Sequence, residues 1–157
     1  MLKTKIITFV IIFNLTWMSL LGCANRATVN THPSSDLGSI KSLYVLKHNN
    51  DDRGINLMIA NRLKQMGYTA NTGYEASSNV DAIITYDDRW WWDITMYMIE
   101  LTVIVRDKET NFPLSTGNSL HTSLTRKSPQ EMVDEVLTNL FSKAGKNSIE
   151  NNKSTDK

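Results

Sequence analysis

The stretch Ile94–Arg106 (ITMYMIELTVIVR) constrains the fold more than any other part of the chain. Tyr97, Ile99, Leu101, Val103 and Val105 alternate with Met96, Met98, Glu100, Thr102, Ile104 and Arg106. A period of two is the signature of a strand, because successive side chains point to opposite faces. One face is wholly apolar and the other mixed, as a sheet covered on one side requires. Val80–Asp88 (VDAIITYDD) is the second strong strand signal. The chain must therefore supply a layer to cover the apolar face.

Two amphipathic segments answer that need. Ile55, Met58, Ile59, Leu63 and Met66 fall on one helical face, preceded by the N-capping run Asn49-Asn50-Asp51-Asp52 and followed by Gly67 as a stop. Ser128-Pro129-Gln130-Glu131 is a capping box with proline in the first turn. It opens a second helix carrying Met132, Val133, Val136, Leu137, Leu140, Phe141 and Ala144 on one face and expected to stop at Gly145. Ile40–Lys47 and Tyr68–Tyr74 read as shorter strands, and Asp107–Asn111 as a turn. Phe112–Leu124 reads as a last strand, with Gly117 at a bulge or bend. The order β-α-β-β-β-β-α predicts an α+β two-layer sandwich: a four- to five-stranded, mostly antiparallel sheet with two helices on one face.

The N-terminus has a different character. Lys3 and Lys5 precede a mostly apolar run, Ile6–Leu21, that ends at Gly22-Cys23. This is the layout of a secretory signal peptide. The run falls short of the ~20 apolar residues that span a bilayer, and no cluster of Lys or Arg follows it. Leu20-Leu21-Gly22-Cys23 resembles the lipobox of bacterial lipoproteins, with Leu21 rather large for its position. The resemblance implies cleavage before Cys23, with a diacylglycerol and an N-acyl chain on that cysteine as the only attached groups. Ala24, in place of an aspartate, implies sorting to the outer membrane, facing the periplasm. Cys23 is the single cysteine, so acylation also removes a free thiol from an oxidising compartment.

The expected organisation is then a signal peptide over 1–22, a lipidated cysteine and flexible tether over 23–39, one α+β domain over 40–145, and a disordered polar tail over 146–157. Ala24–Ser39 lacks apolar periodicity. As a coil it would hold the domain roughly 20–25 Å from the membrane, and fully extended ~50 Å. Removing 22 of the 157 residues leaves one domain's length and 15 basic against 16 acidic residues. Such a balance argues against nucleic acid as a partner and against polybasic docking on anionic lipid.

Asp87-Asp88-Arg89-Trp90-Trp91-Trp92-Asp93 is the local anomaly, lying between two strong strands without Gly, Pro or Asn to make a tight turn. On a strand Trp91 cannot share a face with Trp90 and Trp92. Three readings are open. The tryptophans could pack the sheet edge. With Arg89 they could anchor a protein partner, since Trp and Arg dominate interface hot spots. They could also enter lipid, against which Asp87, Asp88 and Asp93 count. The block Tyr86–Met98, followed by Val105-Arg106-Asp107, resembles an uncharacterised family of small bacterial lipoproteins. That resemblance covers about 40–145 and implies location and fold, without an activity.

No catalytic set emerges. His32, His48 and His121 are scattered, without metal-ligand spacing. Asp87 and Asp88 would face opposite ways on a strand, which is poor geometry for acid–base work. Met96 and Met98 read as packing residues. Phosphate loops and nucleophile elbows are missing. The expectation is a non-enzymatic, membrane-anchored binding or accessory module for an envelope assembly or transport machine. Its partners would be lipid through Cys23 and an envelope protein, with Arg89, Trp90, Trp91 and Trp92 as candidate contacts. The alternative is a lipoprotein that captures a lipid, glycan or peptide between sheet and helices.

Overall fold

The computed structural model of the chain describes residues 25–33, 35–76 and 79–154. Cys23 and the expected leader lie outside the described residues. The fold is α+β: one six-stranded mixed sheet and two α-helices. The strands are β1 (Arg26–Thr31), β2 (Ser42–Leu46), β3 (Thr69–Gly73), β4 (Ala82–Trp92), β5 (Met96–Asp107) and β6 (Pro113–Leu120). Helix α1 spans Ile55–Gln65 and α2 spans Pro129–Ser154, with a 3₁₀ turn at Ser123–Thr125 before α2. Across the sheet the order is β1-β6-β5-β4-β2-β3. β3, β2 and β4 run parallel, while β4, β5, β6 and β1 alternate in direction.

Three expectations need correction. The sheet has six strands because Arg26–Thr31, inside the stretch expected to be a tether, pairs along β6 from Arg26↔Leu120 to Thr31↔Ser115. RATVNT is too polar to show a buried face, and as an edge strand it needs none: Val29 alone packs against the core. Helix α2 also passes Gly145 and ends at Ser154, so that glycine does not terminate it. Gly117, finally, sits at a regularly paired position opposite Val103. An added Cβ there would lie 2.7 Å from Leu140 Cγ and 2.9 Å from Val136 Cγ1. The glycine lets α2 lie close on β6.

The local signals for both helices are realised. The Asp51 carboxylate accepts the backbone N–H groups of Arg53, Gly54, Ile55 and Asn56 at 2.7–3.1 Å, capping α1. Gly67, at φ +94°, closes α1 with Tyr68 N–H donating to Leu63 O at 3.1 Å. Ser128 and Glu131 make the reciprocal capping box, Ser128 N–H to Glu131 Oε2 at 2.7 Å and Glu131 N–H to Ser128 Oγ at 3.3 Å.

One core holds these layers together. α1 packs on β2 and β3, α2 packs on β1, β5 and β6, and the two helices touch. Leu43, Val45, Ala82, Ile84, Tyr86, Leu101, Val103 and Val105 present the sheet side of that core. At Ile99 the alternation expected for β5 breaks. Arg89 pairs with Glu100 but Trp90 with Met98, so Ile99 is an extra residue in the ladder. The bulge switches the side-chain parity, which buries Met98 completely and leaves Ile99 partly exposed. Met98, expected on the mixed face, is thus core.

Candidate docking surface at the β4–β5 hairpin

The bulge also marks where the β4–β5 hairpin leaves the body of the sheet. β4 pairs with β2 only over Ala82–Ile84, and β5 pairs with β6 only from Glu100 onward. Among the described residues, 90–98 therefore form a two-stranded ribbon with no further strand beside it. Such ribbons are marginal in water unless side chains secure them.

Two arginines secure this one. Arg126, just after the 3₁₀ turn, donates from Nη2 to both Asp93 oxygens and from Nη1 to Thr95 Oγ1 at 2.8 Å. Its guanidinium also lies 4.2 Å from the Tyr97 ring centroid. On the helix side Arg53 stacks 4.1 Å over Trp90. Trp90 Nε1 donates to Asp88 Oδ2, and His48 Nε2 donates to Asp88 Oδ1 at 3.1 Å. The His48 ring lies 4.7 Å from that of Tyr86, whose hydroxyl donates to Asp51 Oδ2 at 2.6 Å. A continuous chain of contacts thus joins the α1 cap to the ribbon.

The electrostatics follow. Burial works to raise the Asp51 carboxyl, but the N–H groups of Asn56, Ile55 and Gly54 and the Tyr86 hydroxyl outweigh it and hold it low. Burial and the Asp51 charge push the Tyr86 phenol up. Desolvation opposes ionisation of Asp93 as well, and the Ile94 N–H and Arg126 guanidinium overcome it.

Of the four candidate contact residues, the structure separates Trp90 from the rest. Trp90 is half-buried against the core, under Arg53. Arg89 is exposed and paired with Glu100 at 2.9 Å. Trp91 and Trp92 are 59% and 65% exposed, joined by Ile94 at 88% and Met96 at 51%. Leu124, in the 3₁₀ turn beside Arg126, is 81% exposed. Sequence reasoning passed over Ile94 and Leu124, because nothing local distinguishes an apolar residue at a projecting tip from one entering a core.

A second polar cluster lies on α2. Glu135 Oε2 accepts from Ser119 Oγ at 2.6 Å and from His121 Nε2 at 2.7 Å, while Oε1 accepts from Lys127 Nζ at 2.7 Å. Desolvation favours the neutral acid, yet bonds from Lys127, Ser119 and His121 lower Glu135 to about 2. The glutamate stands between serine and histidine, so His121 is not placed to take the serine proton. The concavity beside it, about 420 Å³, is lined by Lys127, Glu131, Asp134, Glu135, Thr138 and Asn139. This polar hollow lies along α2 rather than between sheet and helices. Among the described residues no group of three or more His, Cys, Asp or Glu is arranged to hold a metal. His48 and His121 each pair with a carboxylate, and the His32 ring meets Phe112 edge-on at 5.2 Å. No described helix is long and apolar enough to cross a membrane.

No protein-family model matches the chain, and no curated protein does. Among solved structures it is similar to the PelC dodecamer from Paraburkholderia phytofirmans. The likeness has a TM-score of 0.53 at 16% identity and covers 73% of this chain and 98% of the PelC chain. A point variant of the same dodecamer gives a TM-score of 0.57 at 14% identity, covering 74% and 98%. At such identities the likeness is one of fold.

Proposed function

We propose that the chain is a lipid-anchored, non-enzymatic docking module of the cell envelope whose contact surface is the tip of the β4–β5 hairpin. The observation that carries this reading is the exposure of Trp91, Trp92, Ile94 and Met96 on a ribbon held rigid by Arg126 and Arg53. Large apolar side chains clustered at one exposed site mark interaction surfaces. The lipobox supplies the anchor, and its sorting residue, Ala24, sets the site of action as the periplasmic face of the outer membrane. Photo-crosslinking in intact cells tests the reading. A crosslinker at position 92 is expected to give adducts that one at Lys108, in the β5–β6 turn, does not. Equal labelling from both positions would remove the tip from the proposal.

A second reading concerns the component bound. The fold likeness spans nearly the whole PelC chain, and PelC is a dodecamer. The sheet here is open at β1 and β3, and edge strands are ready sites for pairing. Assembly with copies of itself is therefore the favoured protein contact. The native mass of the full-length protein in detergent decides it, a monomer counting against.

A further inference from the structure

We infer that the hairpin tip and the 3₁₀ turn form the membrane-contact end of the domain, seated in the interface of the bilayer that holds Cys23. The inference rests on the anchored reading above and names what the tip touches. Its core is a single cross-strand row. Arg89 pairs with Glu100, Glu100 with Leu120, and Leu120 with Arg26, so these four residues stand side by side across β4, β5, β6 and β1. β4 and β6 run toward the tip beyond this row, whereas β5 and β1 run away from it. The residues preceding Arg26 therefore head toward the tip.

Lengths match on the two sides. Cys23 precedes Arg26 by three residues, so it stays within ~10 Å of the row. The tip lies three to five residues past the same row, or roughly 10–15 Å at strand spacing. Asn25 is itself tied down, its side chain accepting a hydrogen bond from Thr125 Oγ1 next to Leu124. No long tether intervenes. An acylated Cys23 brings Ile94, Trp91, Trp92, Met96 and Leu124 to the headgroup level.

The distribution of apolar groups favours lipid over a protein face. Trp91 pairs with Tyr97 and Trp92 with Met96, so the two exposed tryptophans lie on opposite faces of the ribbon with Ile94 at its end. A protein partner covers one face. An interface entered end-on covers all sides, and tryptophan prefers that depth. The acids that argue against lipid are mostly neutralised or displaced. Asp88 is held by His48 and Trp90, Asp93 by Arg126, and Asp87 pairs with Thr102 on the body side of the row. The acyl chains supply affinity, and the tip supplies orientation, standing the strands upright on the membrane.

The chain's own tryptophans provide the test. Apart from Trp17 in the expected leader, they are Trp90, Trp91 and Trp92. Full-length protein, expressed with its leader and checked by mass for acylation at Cys23, is reconstituted in phosphatidylethanolamine–phosphatidylglycerol vesicles. Part of the lipid carries bromine, either near the acyl-chain head or at the bilayer centre. Emission is expected to shift to the blue and to fall about twofold or more with shallow bromines only. Ile94→Asp, at an exposed position, should abolish the quenching without changing the melting temperature. Acylated protein with unquenched tryptophans overturns the inference and leaves the docking module intact. Tip crosslinks to protein in place of lipid quenching overturn it likewise. Absence of acyl mass on Cys23 sinks both readings together.

Discussion

Arg126 grips the Asp93 carboxylate across 33 residues of sequence and at the same time covers the Tyr97 ring. This single side chain ties the start of α2 to the far end of the β4–β5 hairpin, beyond the reach of β2 and β6. Arg126→Ala is expected to release residues 93–95 while leaving the body of the sheet in place. Hydrogen exchange should show fast amides at Ile94 and Thr95 and unchanged protection at Val103 and Val105. Uniform loss of protection would mean that the arginine supports the whole fold.

The three tryptophans should not behave alike. Trp90 packs on the core beneath Arg53, so Trp90→Ala is expected to cost about 2–4 kcal/mol, toward the lower end of large-to-small aromatic substitutions. Trp91→Ala and Trp92→Ala remove exposed side chains and should stay within about 0.5 kcal/mol of the parent. Urea denaturation of the three variants checks the order. Equal losses at all three would refute the separation of a packing residue from two surface residues.

Gly117→Ala should be destabilising although alanine suits a strand better than glycine. The new Cβ meets Leu140 and Val136 within 3 Å, an overpacking worth about 1–3 kcal/mol. Gly117→Ala combined with Leu140→Ala should recover part of the loss from Gly117→Ala. Additive losses in the double variant would show that the close approach of α2 is not the cause.

Acid stability should depend on Glu135 and Asp51. Both carboxyls ionise more readily in the fold than in the unfolded chain. Their contribution is therefore complete above the unfolded values and disappears as the pH falls through the folded ones. For Glu135 that window runs from the ordinary value near 4.5 down to about 2. Glu135→Gln should flatten stability across it by on the order of 2–3 kcal/mol. Asp51→Ala, which also leaves the Tyr86 hydroxyl without its acceptor, should cost about 2–4 kcal/mol near neutral pH. Denaturation curves at several pH values measure both effects. Parallel curves for parent and Glu135→Gln would refute the linkage.

The chain itself determined the parts of this protein that rest on local chemistry. Alternation placed β4 and β5, helical spacing placed α1 and the start of α2, and Asp51, Gly67 and the Ser128–Glu131 box marked ends that the structure shows as caps. The resemblance to a lipobox at Cys23, on which the proposed anchor rests, is equally local. What the tertiary structure decided depends on neighbours that are remote in sequence. Arg26–Thr31 becomes a strand because β6 offers an unpaired edge, not because RATVNT favours one. The Ile99 bulge moves Met98 into the core, a change of parity that no period-two pattern can announce. The tip is exposed because β2 and β6 end early, and Arg126, 33 residues away, keeps it in place. Cys23 accordingly changes meaning. The sequence read it as the end of a long tether, and the register of β1 leaves two residues, Ala24 and Asn25, between it and the sheet. Under the proposed anchoring, strand pairing, a long-range property, sets how far the domain can stand from the membrane.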